Sequence, residues 1–496
     1  MDRYILSIDQ STQGTKALLF DERGILLCRA DRPHRQIIND KGWVEHDPEE
    51  IFRNTVLVAK DVAAKAGIDK SRIVALGISN QRETSVAWDR TSGKPVYNAI
   101  VWQCARGEAI CEELKKQGTR ELIRQKTGLQ LSPYFSAAKL AWIMQNVKEA
   151  AAKSTAGELY VGTIDSWLVY KLTGGQRHQT DYSNASRTQL FNISTLEWDQ
   201  ELLALFGIDP RCMAKVTDSD ADFGTTDFDG WLERPIPICG VLGDSHAALF
   251  GQGCLVPGTA KCTYGTGSSV MMNIGEAPVF SDRGVVTSLA WKINGKVNYV
   301  LEGNINYTGA VITWLKDDLG IINGPGETAS LAKESNPSDT TYLVPAFSGL
   351  GAPYWDSHAA AAIVGMRRTT TKKEIVRAAL ECIAYQIHDV VQAMADSTGI
   401  PLVEIRVDGG PTRNPWLMQF QSDILKIPVR IPDAEELSGI GAAYVAGCSC
   451  GLFGQDIFDV LKRTSYTPEM TEADRTSKCN GWQEAVRIVR EMKSYQ

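Results

Sequence analysis

No apolar stretch in this 496-residue chain approaches the roughly 20 residues that a membrane-spanning helix needs. The opening, Met1-Asp2-Arg3-Tyr4, runs straight into a strand pattern, with no charged segment leading into an apolar signal core. An excess of positive charge is also missing. The net charge is −7, which offers no surface to nucleic acid or an anionic membrane. No CxxC pair occurs among the eleven cysteines, and their odd number and scatter fit free thiols in a reducing compartment. Their one close pair, Cys448-Ser449-Cys450, ends a small-residue helical pattern and lacks metal-site spacing. No GxxxxGK[ST] run is present, which excludes a P-loop. No low-complexity linker divides the chain. These absences point to a cytosolic globular protein.

What is present fits that class. Apolar residues make up 43% and charged residues 22%, and the length suits two domains rather than one core. The most informative run is Gly243-Asp244-Ser245-His246. It follows the apolar Pro237–Leu242 and precedes the small residues Ala247–Gly251, which reads as a buried strand, a turn and a helix. A carboxylate at such a strand end lies where α/β proteins place their chemistry.

Three turns at strand ends are candidate phosphate cradles. Asp9 to Lys16 lies between the strand patterns Tyr4–Ile8 and Lys16–Phe20, and offers Asp9, Thr12, Gln13, Gly14 and Lys16 within eight residues. Successive backbone N–H groups there can face phosphate oxygens, and Asp9 can hold Mg²⁺, a cation that prefers oxygen ligands. The second half repeats strand, hydroxyl-rich turn, strand around Tyr264-Gly265-Thr266-Gly267-Ser268. A third turn, Asp408-Gly409-Gly410, precedes a helix starting at Asn414. Each turn alone also reads as a plain polar turn. The repeated theme predicts an α/β protein of two closely packed halves with a cleft between them, divided as 1–250 and 251–496.

The segments Tyr134–Asn146 and Ala361–Glu381 resemble the two signatures of the FGGY family of carbohydrate kinases. Further similar stretches, including Gly42–Pro48, Asn80–Thr84, Tyr97–Cys104, Thr180–Thr188, Pro345–Trp355 and Met418–Leu425, extend the resemblance along nearly the whole chain. It implies two actin-like (ribonuclease H-like, sugar kinase/Hsp70 type) domains closing on ATP, Mg²⁺ and a small polyol or sugar, in a homo-oligomer of two or four chains. It implies that Asp244 is the base that takes the acceptor's proton and, with Asp9, a metal-side carboxylate. Arg82, Glu83, Trp102, Tyr134 and Ser245 are implied on the acceptor. Thr12, Gln13, Gly14, Lys16, Thr266, Gly267, Gly309, Thr313, Gly410 and Asn414 are implied on the nucleotide. Without the resemblance, Arg82-Glu83 also reads as a surface ion pair, and Trp102 and Tyr134 as core aromatics.

Within the family the chain is most similar to the branch that acts on glycerol, and it departs from that branch at four positions. Ser245 replaces a Gln, and Ser269 replaces a Phe that caps glycerol. Both changes remove bulk, which points to a roomier, more polar pocket open to a four- or five-carbon polyol or ketose (erythritol or xylulose type). His246 is then expected either on the extra hydroxyl or behind Asp244. Lys16 for Arg keeps the charge but loses the planar fork. That change and Thr313 for Gln are expected to alter nucleotide affinity rather than the reaction. A non-kinase actin-like ATPase is the reading from another class. It would need no acceptor pocket, and its hydrolysis would ignore added polyols.

Overall fold

The computed structural model describes residues 3–492. Met1 and Asp2, at the start of the expected first domain, and residues 493–496, at the end of the second, lie outside the described residues. Two sheets organise the chain. The first is built on β1 (Tyr4–Gln10), β2 (Gly14–Phe20), β3 (Leu26–Pro33), β4 (Ile73–Asn80) and β5 (Ile236–Gly243). The second is built on β6 (Thr259–Tyr264), β7 (Ser268–Gly275), β8 (Val286–Ile293), β9 (Lys296–Ile305), β10 (Glu404–Gly409) and β11 (Val429–Pro432).

The two sheets share one plan. In the first, the order is β3-β2-β1-β4-β5, with β1 to β3 antiparallel and β4 and β5 parallel to β1. In the second, β9-β7-β6-β10-β11 repeats that order and those directions, with β8 added outside β9. The parallel centre explains the near-continuous apolar runs: β1 is buried along its whole length, as a strand covered on both faces must be.

Seven helices matter to the site: α1 (Pro48–Ala66), α2 (Ser136–Asn146), α3 (Asp244–Gly251), α4 (Gly309–Asp317), α5 (Lys372–Thr398), α6 (Pro415–Leu425) and α7 (Leu437–Ser449). Their starts follow local chemistry. Asp47 caps α1 through the N–H of Glu49, with Pro48 in the first turn, and Asn414 caps α6 through the N–H of Leu417. Thr371 and Glu374 form a reciprocal capping box on α5.

The halves are joined by α7, which lies against the first sheet and α3. A Cβ on Gly77 would stand 2.2 Å from the Ala442 carbonyl oxygen, and one on Gly441 would stand 1.8 Å from that of Ala247. Only glycine allows backbones to approach so closely. Ile5, Leu18 and Leu242 of the first sheet share one apolar cluster with Ile440 and Tyr444 of α7 and Met271 and Val300 of the second sheet. The C-terminal ends of β1, β4, β5, β6 and β10 meet at the gap between the sheets, where the turns singled out above all lie.

Candidate active site

Asp244 is the first residue of α3, directly after β5. A carboxylate in the first turn is favoured by the helix dipole. Its Oδ1 accepts from the N–H of Ser245 at 2.6 Å and lies 3.1 Å from Arg82 Nε. Oδ2 has no hydrogen-bond partner among the described residues, and the side chain is 37% exposed. Gly243 makes room for this arrangement, because a Cβ there would lie 2.7 Å from Arg82 Cγ.

Asp244 lines a cavity of about 480 Å³ together with Arg82, Glu83, Trp102, Tyr134 and Ser245. Thr12, Gly267 and Ser269 reach the same cavity from the two hairpin turns. Tyr134 packs edge-on against Trp102, with ring centroids 5.4 Å apart. The indole N–H of Trp102 donates to Thr12 Oγ1 at 2.9 Å, which ties the aromatic wall to the first turn. The first family signature supports this wall: Lys139 of α2 is buried and donates to the carbonyls of Pro133, Tyr134 and Phe135, and Ser136 donates to that of Glu83.

Arg82 and Glu83 are not a surface pair. Both are buried, and Glu83 holds a left-handed backbone (φ 60°), a costly conformation for a non-glycine residue. Each is oriented by a partner that the sequence reading missed. Glu302 of β9 takes Arg82 Nη1 and Nη2 at 3.1 and 2.9 Å. Arg187 bridges the two acids, with Nε 2.6 Å from Glu83 Oε1 and Nη1 2.8 Å from Glu302. Burial pushes the Glu302 carboxyl up, but Arg187 and Arg82 outweigh it and hold the group well below the usual carboxylate range. Glu83 Oε2 is left without a protein partner among the described residues, and Glu83 faces the cavity.

His246 does neither thing expected of it. It is fully buried, points away from the cavity, and places Nε2 3.2 Å from Ser288 Oγ on β8. Two residues along a helix turn the side chain by about 200°, so His246, behind α3, meets the second sheet instead of the acceptor. Ser269 lines the cavity with Oγ 3.5 Å from Glu302 Oε1.

Thr263 lines both this cavity and a second one of about 710 Å³, where Lys16, Asp408 and Glu436 lie. Lys16 pairs with Asp9 across the β1–β2 hairpin, and its Nζ is 2.7 Å from Glu436 and 4.0 Å from Asp9. Asp9 is buried, accepts from Ser79 Oγ at 3.0 Å, and is raised to about 6, first by burial and in part by the charges of Asp244 and Glu436. Gly410 and Arg413 continue the second cavity into a third, of about 620 Å³, which gathers Gly309, Thr313, Gly410 and Asn414. The N–H of Gly309 bonds the Gly265 carbonyl at 2.9 Å, so the second hairpin turn is clamped to the start of α4. Gln13, Gly14 and Thr266 line none of these three cavities. Gly14 is pressed on β3, where a Cβ would stand 2.5 Å from the Arg32 carbonyl oxygen, while Gln13 and Thr266 are exposed.

Two copies of a ribonuclease H-like sheet, a hairpin turn on each and a carboxylate lining a cavity between them fit a two-domain phosphotransferase of the actin-like class. The N-terminal domain of the FGGY family of carbohydrate kinases matches residues 4–251 and its C-terminal domain matches residues 260–450. The chain is 50% identical over 488 residues to glycerol kinase 1 of Thermotoga maritima, covering 98% of this chain and 99% of that one. Among solved structures, glycerol kinase of Plasmodium falciparum with ADP superposes with a TM-score of 0.94 at 36% identity, covering 98% of each chain. A xylulose kinase from Lactobacillus acidophilus shares the fold at 22% identity, with a TM-score of 0.88 over 98% of this chain and 97% of that one. The chain belongs to the FGGY family of carbohydrate kinases. No described helix is long and apolar enough to cross a membrane.

Proposed function

We propose that this chain transfers the γ-phosphoryl group of ATP to a hydroxyl of glycerol, in the cytosol, with Mg²⁺. The observation that carries the reading is the placement of Asp244: it lines a cavity with Arg82, Glu83, Trp102 and Tyr134, its Oδ2 has no hydrogen-bond partner among the described residues, and that cavity meets, at Thr263, the nucleotide-sized spaces beyond. Similarity to glycerol kinases over the full chain supports glycerol as the acceptor. The eleven cysteines, all free, fit a reducing compartment. We divide the chain at 250 and 251, with the acceptor side chains in the first domain and Gly309, Thr313, Gly410 and Asn414 around the nucleotide in the second.

In this reading Glu83 accepts from one acceptor hydroxyl and Arg82 donates to a neighbouring one, while the aromatic pair covers the carbon chain. Asp244 accepts the proton of the attacking hydroxyl. The new bond from that oxygen to Pγ forms as the bond from Pγ to the bridging oxygen breaks, and ADP leaves. The turn of Thr12, Gln13, Gly14 and Lys16 serves the phosphates from one side and that of Thr266 and Gly267 from the other; Thr12, Lys16 and Gly267 line the cavities, and Gln13, Gly14 and Thr266 shape the turns.

Asp9 and Asp244 suit Mg²⁺. Both offer hard oxygen donors, and they lie close enough for the charge of one to raise the other's pKa. Among the described residues no group of three or more ligating side chains exists. A two-carboxylate set agrees with a cation that keeps waters and shares phosphate oxygens. When bound there, the ion would neutralise charge on the transferring phosphates.

The test is an ADP-release assay over glycerol, erythritol, threitol, xylitol, dihydroxyacetone and xylulose, with and without Mg²⁺. Glycerol should give the highest kcat/KM. A four- or five-carbon acceptor exceeding it would overturn the acceptor assignment, and hydrolysis indifferent to every polyol would overturn the kinase. Asp244→Asn should lower kcat by about 10²–10⁴-fold with ADP affinity retained.

A further inference from the structure

Four strongly buried arginines, Arg82, Arg106, Arg187 and Arg377, each reach a carboxylate within 4.0 Å, and the buried Lys139 is wrapped by three carbonyls. Lys261 of β6 differs. It is 1% exposed, yet the only hydrogen bond of its Nζ among the described residues is to Thr263 Oγ1, at 3.1 Å, and no carboxylate lies within ion-pair distance. A buried charge without a counter-ion is costly, so such a group points to an anion that arrives with a ligand.

Its position says which anion. Lys261 lines the acceptor cavity with Asp244, and its one partner, Thr263, belongs both to that cavity and to the next, while also donating to Asp408 at 3.2 Å. Nζ therefore stands at the neck through which a group passes from nucleotide to acceptor. A polyol is neutral and supplies no counter-charge. A phosphoryl group in transit carries its negative charge through that neck.

We propose that Lys261 is a catalytic residue that contacts the transferring phosphoryl group and stabilises the charge on its oxygens. The proposal rests on the phosphoryl-transfer reading above. Lys261 keeps its proton throughout, because the acceptor's proton goes to Asp244. Burial lowers the pKa of the ammonium, against the pull of Asp408 and Glu302, and an incoming anion adds to that pull. Donors aimed at developing charge in a water-poor site each contribute about 10²–10³-fold in kcat.

Three variants of the full chain test this. Lys261→Met should lose about 10²–10³ in kcat, with the KM for glycerol and the affinity for ADP changed less than about threefold. Lys261→Ala should regain activity with added ethylammonium and not with the neutral propanol. Lys261→Arg, which keeps the charge, should fold as the wild type does and exceed Lys261→Met in kcat. A kcat for Lys261→Met close to wild type overturns the proposal. So does a loss in which KM, ADP affinity and melting temperature all shift and no amine rescues the Ala variant, because a purely structural lysine behaves that way. If Lys261→Met does not fold, the amine response of Lys261→Ala and the rate of Lys261→Arg decide. Failure of the wild-type chain to phosphorylate any polyol would instead remove the kinase reading itself.

Discussion

Arg82 and Glu302 meet across the gap between the two sheets, the guanidinium nitrogens 2.9 and 3.1 Å from the two carboxylate oxygens, with both side chains removed from solvent. Arg82 extends from the end of β4 in the first sheet and Glu302 sits in β9 of the second. The acceptor-facing arginine is thus held by the opposite domain. Glu302→Gln keeps the shape but removes the charge from a buried cluster, and breaking such a pair costs about 3–5 kcal/mol. We expect a fall of that size in unfolding free energy. The acceptor KM should rise about tenfold, the equivalent of one charged hydrogen bond, while ADP affinity stays near wild type. Acceptor saturation curves and urea unfolding of the purified variant check both; an unchanged acceptor KM would show that Glu302 does not orient Arg82.

Gly243→Ala probes the same arginine from below. The added Cβ would lie 2.7 Å from Arg82 Cγ and 2.9 Å from Cδ. The side chain has to shift, and through it the contact with Asp244. Overpacking of this kind costs about 1–3 kcal/mol. The expected result is a drop in kcat/KM for the acceptor that exceeds the drop for ATP, measured by varying each substrate at saturation of the other. Equal losses for the two would place the damage elsewhere.

The strand-turn-helix setting of Asp244 and the hairpin turn of Asp9 to Lys16 are legible in the sequence because local rules suffice: an apolar run, a glycine, then a polar turn or a small-residue helix. The pairing of the two halves is legible as a repeated pattern. Glu302 and Lys261 are not, since each is a single charge inside an apolar strand, Val300-Leu301-Glu302-Gly303 and Ala260-Lys261-Cys262. Their significance depends on which strand faces which across the gap, a long-range fact. The signal available was the oddity itself, a lone charge where a buried strand should carry none. Arg187 lies in a stretch already noted for its similarity, yet its partners are 104 and 115 residues away in Glu83 and Glu302. His246 was misplaced for a simpler reason: adjacency to Asp244 in sequence says nothing about direction on a helix, where successive side chains point about 100° apart.

Ser269 carries a prediction about acceptor size. It lines the acceptor cavity, so Ser269→Phe fills part of its volume with an aromatic face. Glycerol should be tolerated better than any longer acceptor, because the smaller acceptor needs less of the space that the ring takes up. The ratio of kcat/KM for glycerol to that for erythritol is expected to rise about tenfold, within the range that one well-placed group in a pocket supplies. Competition assays with both acceptors present measure the ratio directly, and a constant ratio would mean that Ser269 does not bound the acceptor.

His246 makes stability depend on pH in a direction that can be worked out. Its side chain is fully buried, with Nε2 at Ser288 and Nδ1 without a partner among the described residues. Burial first, and then the charge of Arg82, hold its pKa well below the ordinary 6.5; Arg187 and Lys261 act the same way, and Glu302 opposes them. Below pH 6.5 the unfolded chain takes up a proton at this residue and the folded chain does not. The unfolded state then binds more protons, so this residue lowers stability as pH falls, by up to about 1.4 kcal/mol per pH unit. Above pH 6.5 both states are neutral there and the contribution is flat. His246→Gln removes the titration. The difference in unfolding free energy between wild type and variant should therefore be constant from pH 8 to 7, and should shift against the wild type by about 1.4 kcal/mol for each unit below 6. Urea unfolding at pH 8, 7, 6 and 5 reads the difference; curves that stay parallel down to pH 5 would mean that His246 is protonated within the fold, paired to Glu302 rather than lying neutral behind it.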